Sequence, residues 1–405
     1  MEGRLPAYQR LLGRDSLRSL FELSDSLKRI KIVHVNSTKE GGGVAEILTQ
    51  MVPLCRQLGM QVEWETIKGS QRFFRCTKMF HNLLQGEKIA EPDSCILKEY
   101  EKINRENAKS MKELLETADA VFVHDPQPLA LIDHFPKRKG KWVWRCHIDL
   151  SSPSEETWGY LKKFVERYDA SVFSMREFAR TLAKPVYIIP PSIDPFSEKN
   201  KDLPLEEIKS VYLLFNIDLK RPILLQVSRF DRFKDPIGVI EAYRLAKKTH
   251  PDLQLVLAGG GAADDPEGDA VLREVKKAAA GDPDLFILLL PPTSHRVINA
   301  LQRGASIVIQ KSLKEGFGLT VSEALWKAKP VIGGDCGGIR LQIIDGKTGY
   351  LVDSSQKAGQ RICELLENSQ LAERFGSAGR DIVKDRFLIT RNIKDDLTVI
   401  RSLKV

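Results

Sequence analysis

The sequence repeats one local pattern: a short β-rich apolar run, a segment with helical spacing, then another apolar run. The first series contains "RIKIVHVNS", "MQVEWETI", "DAVFVHD", "KWVWRCHID", "DASVFS" and "PVYIIP", separated by stretches such as "GVAEILTQMVPLCRQLG" and "NRENAKSMKELLETA". Strands that alternate with helices build a parallel sheet covered on both faces. Around residues 188 to 200, "IIPPSIDPFSEKN" breaks the rhythm with three prolines and reads as a linker. The alternation then restarts with "PILLQVSRF", "LQLVLAGGG", "LFILLLPP", "SIVIQKS", "KPVIGGD" and "GYLVD". Two successive series predict an α/β chain of two Rossmann-like domains, 1–190 and 191–385, with a last helix over 386–405 free to cross back onto the first. Ligands of such sheets sit beyond the carboxyl ends of the strands. The cleft between the two domains is therefore the expected site, and residues just after strands are the ones to examine.

Composition narrows the class without naming the partner. At 405 residues, with 42% hydrophobic and 29% charged, the chain suits a soluble globular protein of two or three domains. No apolar run approaches the roughly 20 residues that span a bilayer. The opening "MEGRLPAYQRLLGRDSLRSL" lacks the apolar centre of a signal peptide, so the expected location is the cytoplasm. Six scattered cysteines (Cys55, Cys76, Cys95, Cys146, Cys336, Cys363) suit neither a zinc site nor a disulfide framework. The net charge is +8, but basic residues are interleaved with acids and no nucleic-acid motif is present. A modest positive excess equally suits a phosphorylated small molecule.

Three constellations follow strands. In "HVNSTKEGGGVAEIL", Gly41, Gly42 and Gly43 join a strand to a helix, which makes either an anion site or a plain tight turn. A dinucleotide fingerprint would need glycine at position 46, which is Glu46. In "QVSRFDRFKDP", Arg229 and Lys234 follow the first strand of the second domain and suit a diphosphate, Arg as a fork and Lys as a point charge. In "SLKEGFGLTVSEALWKAKPVIGGDCGGI", Glu315 lies in a turn after a strand and "FGLTVSEALWKA" reads as the helix that follows. Gly316 and Gly318, with Phe317 and Leu319, open its first turn and leave backbone N–H groups for phosphate oxygens. Glu323 lies on nearly the same face as Gly316, about 10 Å along the axis. A nucleotide sugar would place its diphosphate at that terminus, its ribose at Glu323 and its sugar at Glu315, so that ligand hydroxyls satisfy both carboxylates.

At these residues the sequence resembles the GT-B glycosyltransferases of the large retaining family 4, whose signature E-x7-E is here Glu315 to Glu323. "SRFDRFKD" resembles the same family's Arg/Lys diphosphate pair, although many members have Lys-Gly where this chain has Lys234-Asp235. The strings "HVNSTKEGGGVAEIL", "VHDPQPLALI", "WRCHIDLSSP", "PPSIDPFSEKN" and "DDPEGD" narrow the resemblance to the trehalose glycosyltransferring synthases of that family. The resemblance implies transfer of glucose, with retention, from ADP-, UDP- or GDP-glucose to free glucose. The nearest rival is a retaining phosphorylase of the same disaccharide. It further implies that Gly42 and Gly43 face the donor, that His147 stands beside the donor sugar, and that Arg229, Lys234 and Glu315 belong to the catalytic set. Asp125, Gln127 and Asp149 are candidates for acceptor hydroxyls because they follow strands of the first domain.

Departure of a nucleoside diphosphate would build charge that Arg229, Lys234 and the helix terminus after Glu315 can stabilise. These cations supply what a magnesium ion would bring, so no metal and no other cofactor is expected. The one Asp-x-Asp string, Asp282-Pro-Asp284, precedes a strand and reads as a turn, and "DDPEGD" reads as a turn with helix N-cap charges. The expected partners are small molecules, with no nucleic acid and no membrane, and a homodimer is left open. A dehydrogenase, a nucleic-acid-binding module and a silent sugar-nucleotide sensor are the alternatives from other classes.

Overall fold

The computed structural model describes residues 3–260 and 266–405. The chain divides into two compact units, Met1–Pro191 with Ile389–Val405, and Ser192–Leu388. Each is built on one six-stranded parallel sheet.

The first sheet contains β1 (Lys31–Asn36), β2 (Gln61–Thr66), β3 (Ala120–His124), β4 (Lys141–Cys146), β5 (Ala170–Phe173) and β6 (Val186–Ile188). Their spatial order is β2-β1-β3-β4-β5-β6. The chain moves outward from β1 to β2, then returns to place β3 on the other side of β1. Two neighbouring crossovers therefore leave in opposite directions at the β1/β3 boundary, which opens a crevice at the carboxyl ends of those strands. β3 is buried along its whole length, as expected for a strand covered on both faces.

The second sheet contains β7 (Ile223–Val227), β8 (Gln254–Gly259), β9 (Leu285–Leu289), β10 (Ile307–Gln310), β11 (Val331–Gly334) and β12 (Gly349–Val352). Its order, β12-β11-β10-β7-β8-β9, reverses between β7 and β10. The core joins Leu224, Leu255, Ile309 and Ile332 from the strands to Tyr243 and Ile362 from the covering helices. No helix among the described residues is long and apolar enough to cross a membrane.

Two segments differ from their sequence expectation. Residues 192–200 are no loose linker. Ser192, Asp194, Ser197 and Asn200 are buried, and Ile193 N donates to Phe387 O at 2.8 Å. Asp194 Oδ1 accepts from Phe196 N, and Asn200 Nδ2 donates to Asp194 O. The prolines and short polar residues that mark a linker also build a turn that satisfies its own backbone, and here they do so inside the second unit.

The final helix, Ile389–Ser402, belongs to the first unit. It is anchored there by one charge pair: Arg145 Nη1 donates to both Asp396 oxygens at 2.7 and 2.8 Å, and Arg145 Nη2 donates to Asn392 Oδ1. Both partners are almost fully buried. Removing one member strands the other without water, at a cost of about 3–5 kcal/mol. Arg145→Met should therefore lower the urea midpoint of the first unit steeply. The double variant Arg145→Met/Asp396→Leu should recover most of that loss.

Candidate active site

In the second unit the site residues come from the two strands that flank the reversal. The loop after β7 carries Arg229 and Lys234, and the loop after β10 carries Glu315. Lys234 Nζ lies 2.7 Å from Glu315 Oε2, and Ser312 Oγ donates to the same oxygen at 3.1 Å. A buried carboxylate is thus paired at once with a cation and a hydroxyl. Arg229 stands apart: its side chain is half exposed and, among the described residues, reaches only Asp231, at 3.3 Å. The structure brings Lys234 to Glu315 and leaves Arg229 at the rim of the loop.

The residue after Lys234 explains a departure noted in the sequence. Asp235 has φ 48° and ψ 51°, the left-handed region that glycine enters without steric cost. Here the conformation is held by side-chain bonds. Asp235 Oδ1 accepts from Gly238 N at the start of the helix Pro236–Lys247, and its other oxygen pairs with Lys311. An aspartate can occupy the place of a glycine because the cap and the ion pair offset the strain.

The helix after Glu315 starts later than its sequence suggests. It spans Leu319–Trp326 with Gly318 at the N-cap, so Gly316 and Phe317 precede it and do not form its first turn. Gly318 has φ 83°, which no helical residue adopts, and Phe317 turns inward against Phe387 with ring centroids 5.4 Å apart. Leu319 is the first helical residue, so the orphan N–H groups of that turn follow closely on Glu315, whose side chain the N-cap approaches: a Cβ on Gly318 would lie 3.2 Å from Glu315 Cγ.

The later glycines are explained by close backbone approach. A Cβ on Gly338 would lie 2.4 Å from Phe317 Cα and 2.6 Å from Gly316 O. Gly338 N donates to Glu315 O at 3.1 Å. The buried Gln342 completes the clamp: Nε2 donates to the carbonyls of Phe317 and Gly338, and Oε1 accepts from Ser322 Oγ. Its donor holds the loop by its carbonyls, which leaves the loop's N–H groups for another use.

Glu323 is completely buried, but its charge is already balanced within the protein. Lys199 Nζ lies 3.0 Å from Glu323 Oε1, and Gln302 Nε2 donates to Oε2 at 3.3 Å. The ligand hydroxyls expected from the sequence are therefore not needed to balance this charge, because a lysine of the same unit already does so. Lys199 comes from the supposed linker, 124 positions away in the sequence, and nothing in its neighbourhood identified it.

In the first unit, Gly42 and Gly43 follow β1, and Asp125 and Gln127 follow β3, on the two strands at the reversal. Gly42 caps the helix Gly43–Gln57 with φ 82°, and a Cβ there would meet open space. Asp125 has φ 62°, and its Oδ1 accepts from His147 N at 2.7 Å. Burial pushes the Asp125 carboxyl up to about 7, against the pull of that hydrogen bond and of Arg145. His147 is partly buried, with its Nε2 3.0 Å from His124 Nδ1. Gln127 Oε1 is buried with no hydrogen-bond partner among the described residues, the mark of an acceptor awaiting a donor. Asp149 is buried, and its Oδ1 accepts from Ser151 N in the turn after β4.

Among the described residues no three His, Cys, Asp or Glu side chains gather as a metal site. Asp282 and Asp284 sit at the start of β9, paired with Lys247 and, for Asp284, with Arg221. Asp264 and Asp265 of "DDPEGD" lie outside the described residues.

The fold is similar to that of a solved α,α-trehalose-phosphate synthase (UDP-forming) from Burkholderia vietnamiensis. That structure matches with TM-score 0.75 and 14% identity over 92% of this chain and 100% of that one. The fold is that of the GT-B glycosyltransferases. A family model for the trehalose synthase N-terminal domain matches residues 34–180, and one for group 1 glycosyl transferases matches 215–382. The chain is 43% identical over 402 residues to the trehalose synthase of Thermococcus litoralis, covering 98% of this chain and 97% of that one. It is 30% identical to the trehalose phosphorylase of Pleurotus pulmonarius, over 94% of this chain and 58% of that one. The chain belongs to the trehalose synthase family, and it is a hexosyltransferase.

Two outcomes test this geometry. Gly338→Ala should displace the loop from Glu315 to Gly318 and lower hexosyl transfer on the order of a hundredfold, the cost of misplacing reacting groups by about 1 Å. Asp125→Asn should gain stability relative to the parent as pH rises. A raised carboxyl pKa contributes stability below its unfolded value and loses it as pH passes the folded value. The difference in melting temperature should grow from about pH 4 and level off above about pH 7, between the ordinary aspartate pKa and the shifted one.

Proposed function

We propose that the protein transfers glucose, with retention, from a nucleoside-diphosphate glucose to free glucose, giving α,α-1,1-linked trehalose in a reversible reaction. The observation that carries this reading is the Lys234–Glu315 pair at the β7/β10 reversal, beside a helix N-terminus held open by Gly318 and Gln342. It supplies, on adjacent loops, a point cation, orphan N–H groups and a carboxylate. A leaving diphosphate needs the first two, and sugar hydroxyls need the third.

In this proposal Lys234 and the N–H groups after Glu315 neutralise charge as the nucleoside diphosphate departs. Arg229, half exposed and only loosely held by Asp231, swings onto the phosphates when they are present. Glu315 accepts from the transferred glucose while Ser312 and Lys234 orient it. Glu323 accepts from ribose hydroxyls through its remaining lone pairs, since a carboxylate offers about four acceptor positions and Lys199 and Gln302 occupy two. On the first unit, the Gln127 oxygen, without a partner among the described residues, and Asp125 receive hydroxyls of the acceptor glucose, and His147 faces the sugar being moved. The acceptor oxygen attacks from the side the leaving group departs, and the leaving phosphate takes its proton. No metal takes part. Six free cysteines suit a reducing compartment such as the cytoplasm.

The deciding assay offers glucose as acceptor with ADP-, UDP- or GDP-glucose, and separately with glucose 1-phosphate, in the presence of a chelator. Non-reducing disaccharide should form from a nucleotide donor only, at undiminished rate. Product from glucose 1-phosphate alone would make the protein a phosphorylase and remove the ribose role of Glu323. Lys234→Met should lower kcat by roughly 10²–10³, the usual loss when one donor to a developing oxyanion is removed.

A further inference from the structure

Three histidines from three neighbouring strands of the first sheet form a continuous chain. His34 lies within β1, His124 ends β3, and His147 directly follows β4. His34 Nδ1 is 3.0 Å from His124 Nε2, and His124 Nδ1 is 3.0 Å from His147 Nε2. The strand register places all three on one face: His34 is aligned with Phe122, two residues before His124, and His124 with Arg145, two residues before His147. His34 and His124 are buried, whereas His147 is partly exposed at the carboxyl end of the sheet.

Each imidazole–imidazole bond needs one N–H and one lone pair. Burial, helped by the nearby Arg145 cation, lowers the pKa of all three rings, that of His34 to about 3. Three neutral rings in series have only two arrangements, all Nε2–H or all Nδ1–H, and the inner end selects between them. His34 has committed Nδ1 to His124, which leaves Nε2. His34 also lines a small buried cavity whose other charged lining group is the Asp396 carboxylate, amid Ile32, Val62 and Ile400. The Asp396 oxygens accept from Arg145 and Asn392 rather than from His34, so the carboxylate acts across the cavity through its negative charge, which favours the proton on His34 Nε2. The remaining protons follow: His124 donates from Nε2 to His34, and His147 donates from Nε2 to His124. His147 Nδ1 is left as a lone pair.

We propose that His34 and His124 are positioning residues that set the tautomer of His147, so that His147 Nδ1 accepts a hydrogen bond from a sugar hydroxyl. This rests on the reading that His147 faces the sugar being transferred. A neutral acceptor there distinguishes a hydroxyl from a ring hydrogen at the same place. The C-terminal helix enters the same chain of effects, because it delivers Asp396 to the inner end.

The test is long-range proton–nitrogen NMR of the whole protein labelled with 15N-histidine at neutral pH, with signals assigned by single substitution. All three rings should appear neutral and in the Nε2–H form. His34→Leu removes the inner anchor, so His147 should shift toward a tautomer mixture and kcat/KM for glucose transfer should fall several-fold to about tenfold, the loss of one neutral hydrogen bond. His34→Asn places an amide oxygen near the position of Nδ1 and should restore both the His147 signal and the rate. An Nδ1–H His147 in the parent overturns the proposal, as does a His147 signal or a transfer rate unchanged in His34→Leu. The parent spectrum decides the tautomer even if the leucine variant does not fold. A parent with the Nε2–H chain that transfers no glucose from any donor upholds the relay and overturns the functional reading instead.

Discussion

The reversal of strand order at the centre of each sheet is the constraint on which the candidate site depends. Parallel strands end at one edge, and their right-handed crossovers cover both faces. Where two crossovers leave in opposite directions, the loops between them separate and backbone is left open to a ligand. In the second unit that place lies between β7 and β10, the strands that lead into Lys234 and Glu315. In the first it lies between β1 and β3, which lead into the glycine turn and Asp125. The chemistry is located by topology before any side chain is considered.

Charge burial then determines what can be built there. Carboxylates taken out of water need a partner, and four of those in this structure have a cation in contact. Glu315 has Lys234, Glu323 has Lys199, Asp235 has Lys311 and Asp396 has Arg145. Such pairs are weak sources of stability but strict sources of specificity, since losing either partner is costly. They orient site groups and tie separate segments together, the last helix and the residues once read as a linker among them. The His34–His124–His147 series follows the same logic with neutral groups, where one proton placement constrains the next.

Backbone approach is the third determinant. The loop from Glu315 to Gly318 is held from beneath by Gly338, where a side chain would collide with it, and by Gln342, which grips its carbonyls. A glycine cluster in the sequence announces that something comes close. It does not say whether that is a phosphate or another strand's loop. Here Gly318 and Gly42 serve a helix N-terminus, whereas Gly338 serves packing, and only coordinates separate the two uses.

The alternation of apolar runs with helical segments was enough to determine two parallel α/β sheets, because periodicity is a local property and each strand announces itself within a few residues. Motif spacing likewise carried Lys234, Glu315 and Gly318 to the carboxyl end of the second sheet, since each follows a strand end or begins a helix. What remained hidden was every partner at long separation: Lys199 for Glu323, Asp396 for Arg145, Gln342 for the glycine loop. The start of the helix at Leu319, the turn task of Asp149 and the exposed place of Arg229 were hidden for the same reason. These are decided by which side chains compete for the same buried polar atoms, and that competition exists only once the sheets have folded. Sequence determined the elements and the end of the sheet where chemistry can occur; tertiary structure decided which charges meet there, because the partner of a buried charge is chosen by space and not by spacing.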